Sequence, residues 1–367
     1  MIISGGSTVT PGHTENGDDV LSGGILTVLV SATAVGTTIE HGGLVQVLGG
    51  LTVGDTILGG EETVYYGTFS SGGSNSAISG AGTAVGLTIT SRGLAVLNSG
   101  GFAQNATIVS SGALEVHGGA GAIGTIVGRG AVNIFLGGFT SHTTVNATGF
   151  ELILGGTAIG TTVNVSGVQA VHAQGTASDT SIAAGGIQSV DSGGVAILAT
   201  IGGTQFVNDG GIASGSLLQS GGTEIVTSGG TTIATVFAGG ALILSSGAVE
   251  IGNIIALGSE VVSAGAVASD ARVFGQGKQI ISGGKAFATT ISSGGTQVIA
   301  QSGTAGDTFV SASGVAIVRA DGVETNRRYS PAERNLPRRA AWPKARRSPR
   351  AGSVRSARVE RPSAPRS

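Results

Sequence analysis

A short unit recurs along the chain and constrains its fold more than any other feature. The unit reads Thr-(Ile/Val)-x-(x)-Gly-Gly, and its apolar member marks successive repeats. From residue 89 onward these marker positions are Ile89, Ile108, Ile126, Val145, Val163, Ile182, Ile201, Leu218, Val236, Ile254, Val273, Ile291 and Phe309. They span 309 − 89 = 220 residues in twelve steps, so the period is about 18 residues, which is typical of stacked repeats. The same register extends back through Ile57, Ile39, Val20 and Ile2, and it is disturbed only between Ile57 and Ile89.

Each unit also contains a second strand signal. An apolar–polar–apolar triplet follows the marker position, as in Leu114-Glu115-Val116 and Phe150-Glu151-Leu152. Alternation at period two predicts a strand with one buried and one exposed face. Gly-Gly or Ser-Gly pairs such as Gly221-Gly222 separate the strands. Glycine adopts positive φ without a Cβ clash, so these pairs predict corners.

Strand, corner, strand and corner, repeated about every 18 residues, predict an all-β fold. The pattern favours a single-stranded, right-handed parallel β-helix (a β-solenoid) of about 17 coils over residues 1–325. Identical positions of successive coils then lie about 4.8 Å apart, and the marker residues form one interior column. One coil cannot fold alone, because its neighbours supply half of its core.

The last part of the chain, residues 326–367, differs in composition from the repeats. Residues 327–367 carry 13 Arg or Lys and two Glu, so their net charge is 13 − 2 = +11. This Arg/Pro/Ser-rich composition cannot bury a core and predicts a disordered tail. We favour an out-of-frame origin for the tail, because it interrupts the repeat inside a coil. An inert terminus and, less favoured, a nucleic-acid-binding arm are the alternatives.

Several kinds of site are excluded or unsupported by the residues. The chain has no Cys, which excludes a disulfide framework, a thiolate metal site and a Cys nucleophile. No apolar run is long enough for a membrane-spanning helix, so we expect no membrane insertion. Met1 is followed directly by the repeat, and no signal peptide is visible. We predict no catalytic, cofactor-binding or metal-binding residues and no cofactor.

An enzyme built on a β-solenoid is the main alternative. Lyases and glycosidases of this architecture need two or more carboxylates that converge in a cleft. Acidic residues here are spread at roughly one per coil, and the nearest approach to a cluster is Glu61-Glu62 with Tyr65-Tyr66, in the irregular region. A surface insertion or a bulge is the simpler interpretation of that segment.

A row of Thr residues precedes the marker positions. Alternation predicts that these side chains point outward along one face of the solenoid. The row comprises Thr38, Thr56, Thr88, Thr107, Thr125, Thr144, Thr162, Thr200, Thr290 and Thr308, and Thr68 and Thr235 occupy the same position of the repeat. β-Propensity and cross-strand pairing of Thr explain such a row without a function.

The repeats resemble those of AIDA-type autotransporter passengers, whose units have the form V-x-S-G-G-x-x-x-V-x-S-G-G-x-A-x-x-T-x-V. The matching stretches here are Gly193-Gly194-Val195-Ala196-Ile197-Leu198-Ala199-Thr200-Ile201 and Ile291-Ser292-Ser293-Gly294-Gly295-Thr296-Gln297-Val298-Ile299. The likeness covers about residues 2–325. We expect a truncated member without the family's C-terminal β-barrel, since 367 − 326 = 41 residues after Asn326 are too few for its strands.

The resemblance implies a non-enzymatic surface or secreted protein that acts in adhesion or cell–cell self-association. Its implied partners are host or bacterial cell-surface receptors or glycans, or further copies of the same protein. It also implies O-heptosylation of passenger Ser and Thr by a dedicated heptosyltransferase, for which the ten Thr residues of the row are the candidates. A non-functional truncated gene product is the remaining alternative.

Overall fold

The computed structural model describes residues 1–70 and 77–330. Within them every regular element is a β-strand, and parallel strands stack into a β-solenoid of about 17 turns. The predicted all-β solenoid is therefore confirmed. Among the described residues, no helix is long and apolar enough to cross a bilayer.

A turn contains three strands, called first, second and third here in chain order. The first strands are Ile2–Ile3, Asp19–Val20, Thr38–Glu40, Thr56–Leu58, Thr88–Thr90, Thr107–Ile108, Ile126–Val127, Thr144–Val145, Thr162–Val163, Ser181–Ile182, Thr200–Ile201, Leu217–Gln219, Thr290–Ile291, Phe309–Val310 and Arg328–Tyr329. The second strands are Gly6–Val9, Ile25–Leu29, Leu44–Leu48, Glu61–Ser70, Leu94–Leu97, Ala113–Val116, Ala131–Phe135, Phe150–Leu154, Val168–His172, Ile187–Val190, Thr204–Val207, Thr223–Val226, Thr296–Ala300 and Val315–Val318. First and second strands are continuous in Val236–Leu244, Ile254–Ser263 and Arg272–Ser282.

The third strands form a separate face of the solenoid. They are Thr14–Asn16, Thr33–Val35, Leu51–Val53, Thr83–Val85, Phe102–Gln104, Gly121–Ile123, Phe139–Ser141, Thr157–Ile159, Thr176–Ser178, Val195–Ile197, Ile212–Ser214, Thr231–Ile233, Val249–Ile251, Val267–Ser269, Lys285–Phe287, Thr304–Gly306 and Val323–Thr325. Each strand pairs in parallel with the equivalent strand of the next turn, as Thr144–Val145 does with Thr162–Val163. The hydrogen bonds that link the turns lie along the solenoid axis, for example from the Thr162 N–H to the Thr143 carbonyl (2.8 Å).

The interior column of the first strands confirms most of the predicted marker positions. Val20, Ile39, Ile57, Ile89, Ile108, Val145, Val163, Ile182, Ile201, Leu218, Val273 and Ile291 are all buried in the core. The prediction is wrong by one residue at Ile2, Ile126, Val236, Ile254 and Phe309. The residues that point inward there are Ile3, Val127, Phe237, Ile255 and Val310.

These five errors share one physical cause. At each of them two apolar residues are adjacent, so the sequence does not show which of the two faces the core. Side chains alternate along a strand, and a slip of one residue exchanges the two faces. Ile126 is thus 44% exposed, whereas Val127 is fully buried beneath Ile108.

The paired glycines at the corners have two different roles. Gly221 has φ +84°, a left-handed conformation that favours glycine. Its neighbour Gly222 needs no such φ, but a Cβ at this position would overlap the carbonyl oxygen of Ile201 in the preceding turn. The pair therefore turns the chain at its first residue and permits close stacking of turns at its second.

The irregular region between Ile57 and Ile89 is an insertion. Strand Glu61–Ser70 first pairs in parallel with Leu44–Leu48 and then continues as an antiparallel pair with Ala77–Ala81. The solenoid resumes in register, since Ile57 pairs directly with Ile89. The sequence leaves a surface insertion and a bulge open for this segment, and the observed topology is that of an insertion.

At its other end, the solenoid continues beyond residue 325. Arg328–Tyr329 still pairs in parallel with Phe309–Val310. The tail that the sequence predicts to be disordered is 326–367; the structure describes its first residues, 326–330, and its remainder, 331–367, lies outside the described residues.

Candidate functional site

The predicted Thr row lies on the outer side of the first strands at eight of its ten positions. Thr38, Thr56, Thr88, Thr107, Thr144, Thr162, Thr200 and Thr290 are half-buried. The first four stack on one another in consecutive turns through parallel pairing. Ile126 interrupts the row, and Thr144 and Thr162 continue it. Ser181 and Thr200 follow in the next two turns, and Leu217, Val236, Ile254 and Arg272 then occupy this position before Thr290. The outward hydroxyls therefore form two runs of neighbouring turns and one isolated position along this edge of the rod.

Thr125 and Thr308 do not belong to this outer row, and the prediction that they point outward is wrong. Their exposed fractions are 1% and 0%, and Thr235 at the same repeat position is also fully buried. The register error described above explains the burial of Thr125, Thr235 and Thr308. The residue after each of these Thr faces outward, so the Thr itself faces the core. The side chain of Thr68 lies outside the described residues.

A surface groove of about 360 Å³ lies beside the insertion. His41, Glu61 and Arg92 line it, together with the glycines of two corners and two leucines. Glu61 is its only carboxylate, because Glu62 points to the opposite side of the same strand and is fully buried. The pair Glu61-Glu62, the nearest candidate for two cooperating carboxylates, is therefore divided between the surface and the core. Among the described residues, no three His, Asp or Glu side chains are placed to hold a metal ion.

Polar side chains form ladders inside the solenoid, in the column of the second strands. Gln169 donates from Nε2 to Glu151 Oε2 (2.7 Å) in the turn before it, and Gln188 donates likewise to Gln169 Oε1 (2.6 Å). Gln205 donates to Gln188 Oε1 (2.5 Å) and accepts from the Ser216 hydroxyl (3.3 Å). All four ladder residues have no exposed surface. The first ladder therefore spans four consecutive turns and begins at a carboxyl group.

A second ladder repeats this arrangement nearer the C-terminal end of the rod. Gln279 donates to Glu260 Oε2 (2.7 Å), and Gln297 donates to Gln279 Oε1 (2.8 Å). Asn253 donates from Nδ2 to the other oxygen of Glu260 (3.1 Å). Stacked amides of this kind satisfy each buried donor and acceptor, which is the condition for polar groups in a core.

Glu224 lies between the two ladders and has hydroxyl partners only. The Thr232 hydroxyl donates to its Oε1 (2.6 Å), and the Thr235 hydroxyl donates to its Oε2 (3.1 Å). Burial raises the pKa of Glu224 to about 7, because these two hydrogen bonds only partly replace the lost hydration of the carboxylate.

The other interior acids are shifted in the same direction. Burial raises the pKa of Glu260 to about 7, that of Asp55 to about 7 and that of Glu62 to about 8. Burial also raises the pKa of Glu151 and of Glu250, and the nearby Glu260 adds to the shift of Glu250. The core of this rod thus holds carboxyl groups whose pKa values burial raises above their ordinary range.

Sequence reasoning missed these interior acids. The triplet Phe150-Glu151-Leu152, considered alone, favours the two apolar residues as the inward pair. Pairing with the preceding turn places Glu151 beneath Val132 and Ile153 beneath Ile134, so the polar residue is inside. The spacing from the preceding repeat was the signal that places Glu151 inside. The apolar–polar–apolar pattern of its own strand predicted the opposite.

Among the solved structures to which the chain is similar, the structure described first here matches it over most of its length. That structure is a TibA fragment, hyper-glycosylated by TibC, of the AIDA-type autotransporter passengers. The two are 27% identical with a TM-score of 0.59, and the match covers 85% of this chain and 99% of the fragment. The predicted resemblance to AIDA-type passengers is confirmed.

Two further solved structures share little with the chain. The receptor-binding tailspike of bacteriophage Det7 is 11% identical with a TM-score of 0.18, over 94% of this chain and 74% of its own. PfbA, a surface adhesin of Streptococcus pneumoniae, is 10% identical with a TM-score of 0.14, over 87% of this chain and 85% of its own. No family model matches the sequence. No curated protein matches it either.

Proposed function

We propose that the chain is a non-enzymatic surface or secreted passenger that acts in adhesion or cell–cell self-association. The likeness to the TibA fragment, which extends over 85% of this chain, is the observation that carries this proposal. The proposed location is the cell surface or the extracellular space, and the proposed partners are surface receptors, glycans or further copies of the chain. We propose that the solenoid forms a single domain and that the partners bind to its outer faces.

The architecture supports this proposal in two ways. A solenoid of about 17 turns at about 4.8 Å per turn is a rod of roughly 80 Å, and its long sides offer extended faces for lateral contact. The groove beside the insertion contains one carboxylate, whereas hydrolysis of a glycosidic bond requires a cooperating pair. The rod is therefore better suited to binding a partner than to hydrolysing a glycan.

The full chain, coupled to latex beads, tests the proposal. We expect coated beads to clump with one another or to adhere to bacterial or host cells, whereas albumin-coated beads do neither. Coated beads that stay dispersed and bind no cell surface at any coating density would contradict an adhesive function.

We further propose that the outward Thr row is an acceptor for O-linked heptose. The TibA fragment is glycosylated by TibC, and the eight outward hydroxyls here are half-buried on one edge of the rod, seven of them within its N-terminal two thirds. Co-expression with a heptosyltransferase should add heptose masses to these positions, and peptide mapping should find Thr125 and Thr308 unmodified because they are buried. Unmodified Thr residues along the entire outer row would contradict this assignment.

A further inference from the structure

One outward column of the solenoid is apolar over its C-terminal half. It is the third position of the second strands, where side chains point to solvent. From Phe206 to Ile317 the parallel pairing places an apolar residue at this position in every turn, and the column comprises Phe206, Ile225, Ile243, Val261, Ile280, Val298 and Ile317. We call this set the apolar stripe. Nearer the N-terminus the same column is mixed and includes Thr27, Glu115 and Asn133.

The flanks of the apolar stripe carry almost no charge. On one side lie Thr204, Thr223, Ala241, Ser259, Lys278, Thr296 and Val315, and on the other Asn208, Thr227, Ser245, Ser263, Ser282, Ala300 and Arg319. Lys278 and Arg319, both basic, are the two ionisable side chains of these columns. Two basic residues along seven turns are too few for a partner that is recognised by charge, such as nucleic acid or an anionic membrane, so the face favours an apolar partner.

The apolar stripe is accessible and long. Ile243 and Ile317 are 37% and 40% exposed, and only Val298 is buried, at 5%. Six steps of about 4.8 Å give a length of about 29 Å. With its flanking columns the face covers about 500 Å², so two copies face to face would bury about 1,000 Å², which is at the lower limit for a specific interface.

We propose that the apolar stripe is the face through which two copies of this chain pack side by side. The occupant follows from the geometry, because a second copy presents an apolar sheet face of low charge with the same spacing between turns. Two such faces pack like the sheets of a β-sandwich, about 10 Å apart, with interdigitating side chains. A contact in which both copies use the same patch closes on itself and gives a dimer. This inference deepens the proposed self-association and names its surface.

Sedimentation velocity of the full chain over a range of concentrations tests the proposal. The unmodified chain should form a dimer, and Ile243→Glu should weaken dimerisation by more than about tenfold, because an unpaired charge would be buried in the interface. Thr27→Glu, in the same column outside the apolar stripe, is the matched control and should leave the dimer unchanged. Glu115 shows that this column accepts a carboxylate, and equal unfolding midpoints would establish that each variant is folded.

Mixed variants identify the pairing. If the copies lie parallel, Ile243→Glu mixed with Ile243→Lys should restore the dimer, since equal positions face one another. If they lie antiparallel about Val261, Ile243→Glu should instead recover with Ile280→Lys. Recovery in either mixture supports face-to-face packing, and recovery in neither overturns it.

Other results would overturn the apolar stripe as an interface. These are a chain that stays monomeric at high concentration, a dimer that Ile243→Glu leaves intact, or association that only Val318→Glu at the exposed last turn disrupts. Co-sedimentation of the chain with uncharged lipid vesicles, lost in Ile243→Glu, would assign the apolar stripe to a membrane instead.

Beads coated with Ile243→Glu distinguish failure of the dimer interface from failure of the adhesive function. If these beads clump as well as beads coated with the unmodified chain, the adhesive function stands and the apolar stripe is not the interface. If beads coated with the unmodified chain are inert while the dimer forms in solution, the interface stands and the adhesive function fails.

Discussion

Raising the pH from 5 to 8.5 is expected to destabilise the solenoid strongly. The interior acids Asp55, Glu62, Glu224 and Glu260 have pKa values raised to between about 7 and about 8 by burial. A group whose pKa is higher in the folded than in the unfolded chain stabilises the fold below its unfolded pKa, and this contribution is lost as the pH rises through the folded pKa. The loss should therefore occur between about pH 4.5 and pH 8.

The size of the effect follows from the shifts. For Glu224, a change from the ordinary value of 4.5 to about 7 corresponds to roughly 3 kcal/mol in the free energy of unfolding above pH 8. Several interior acids act together, so the thermal midpoint should be markedly lower at pH 8.5 than at pH 5. A core without buried acids would show little change over this range.

The substitution Glu224→Gln isolates the contribution of one buried acid to the pH dependence of the free energy of unfolding. The partners of Glu224 are the hydroxyls of Thr232 and Thr235, which can donate or accept, so an amide can replace the carboxyl without a lost hydrogen bond. We expect this variant to be more stable than the unmodified chain at pH 8.5 and nearly equal to it at pH 5. Glu115→Gln makes the same change on the solvent side and should have little effect. Equal stability of Glu224→Gln and the unmodified chain at pH 8.5 would contradict a buried carboxylate at this position.

The architecture could be predicted from the sequence because the repeat is long and regular. Marker residues such as Ile39 and Ile201 have no large apolar neighbour in the sequence, and their spacing alone shows that they stack. Adjacent apolar pairs such as Ile126-Val127 lack this information. Only pairing with the turns on either side determines which member of such a pair faces the core.

The polar interior could not be predicted by the same reasoning. The usual rule places Glu and Gln outside, and residues such as Glu151 and Gln188 satisfy that rule when their own strand is considered alone. They are inside because each ladder supplies hydrogen bonds from the neighbouring turns. A buried amide is stable here only as part of a stack, and a stack is not visible in a single repeat.

The outer faces were predicted only in part. The register error that affected Ile126 also placed Thr125 on the wrong side of its strand. The apolar stripe was not predicted, because each of its residues has an apolar sequence neighbour that faces the core. Ile225, for example, precedes the buried Val226, and the sequence does not show which of the two faces outward. Function is a property of such surfaces and not of the solenoid itself.

Pairs of engineered cysteines test the register on which this account depends. Thr107 and Ile126 are direct neighbours on the outside of adjacent turns, whereas Thr125 faces the core. Neighbouring strands are about 4.8 Å apart, which is within the range that a disulfide can span. The chain has no Cys of its own, so oxidation reports on the engineered pair alone. We predict that Thr107→Cys with Ile126→Cys forms an intramolecular disulfide under mild oxidation, and that Thr107→Cys with Thr125→Cys stays reduced. A disulfide in the second pair and none in the first would contradict the account.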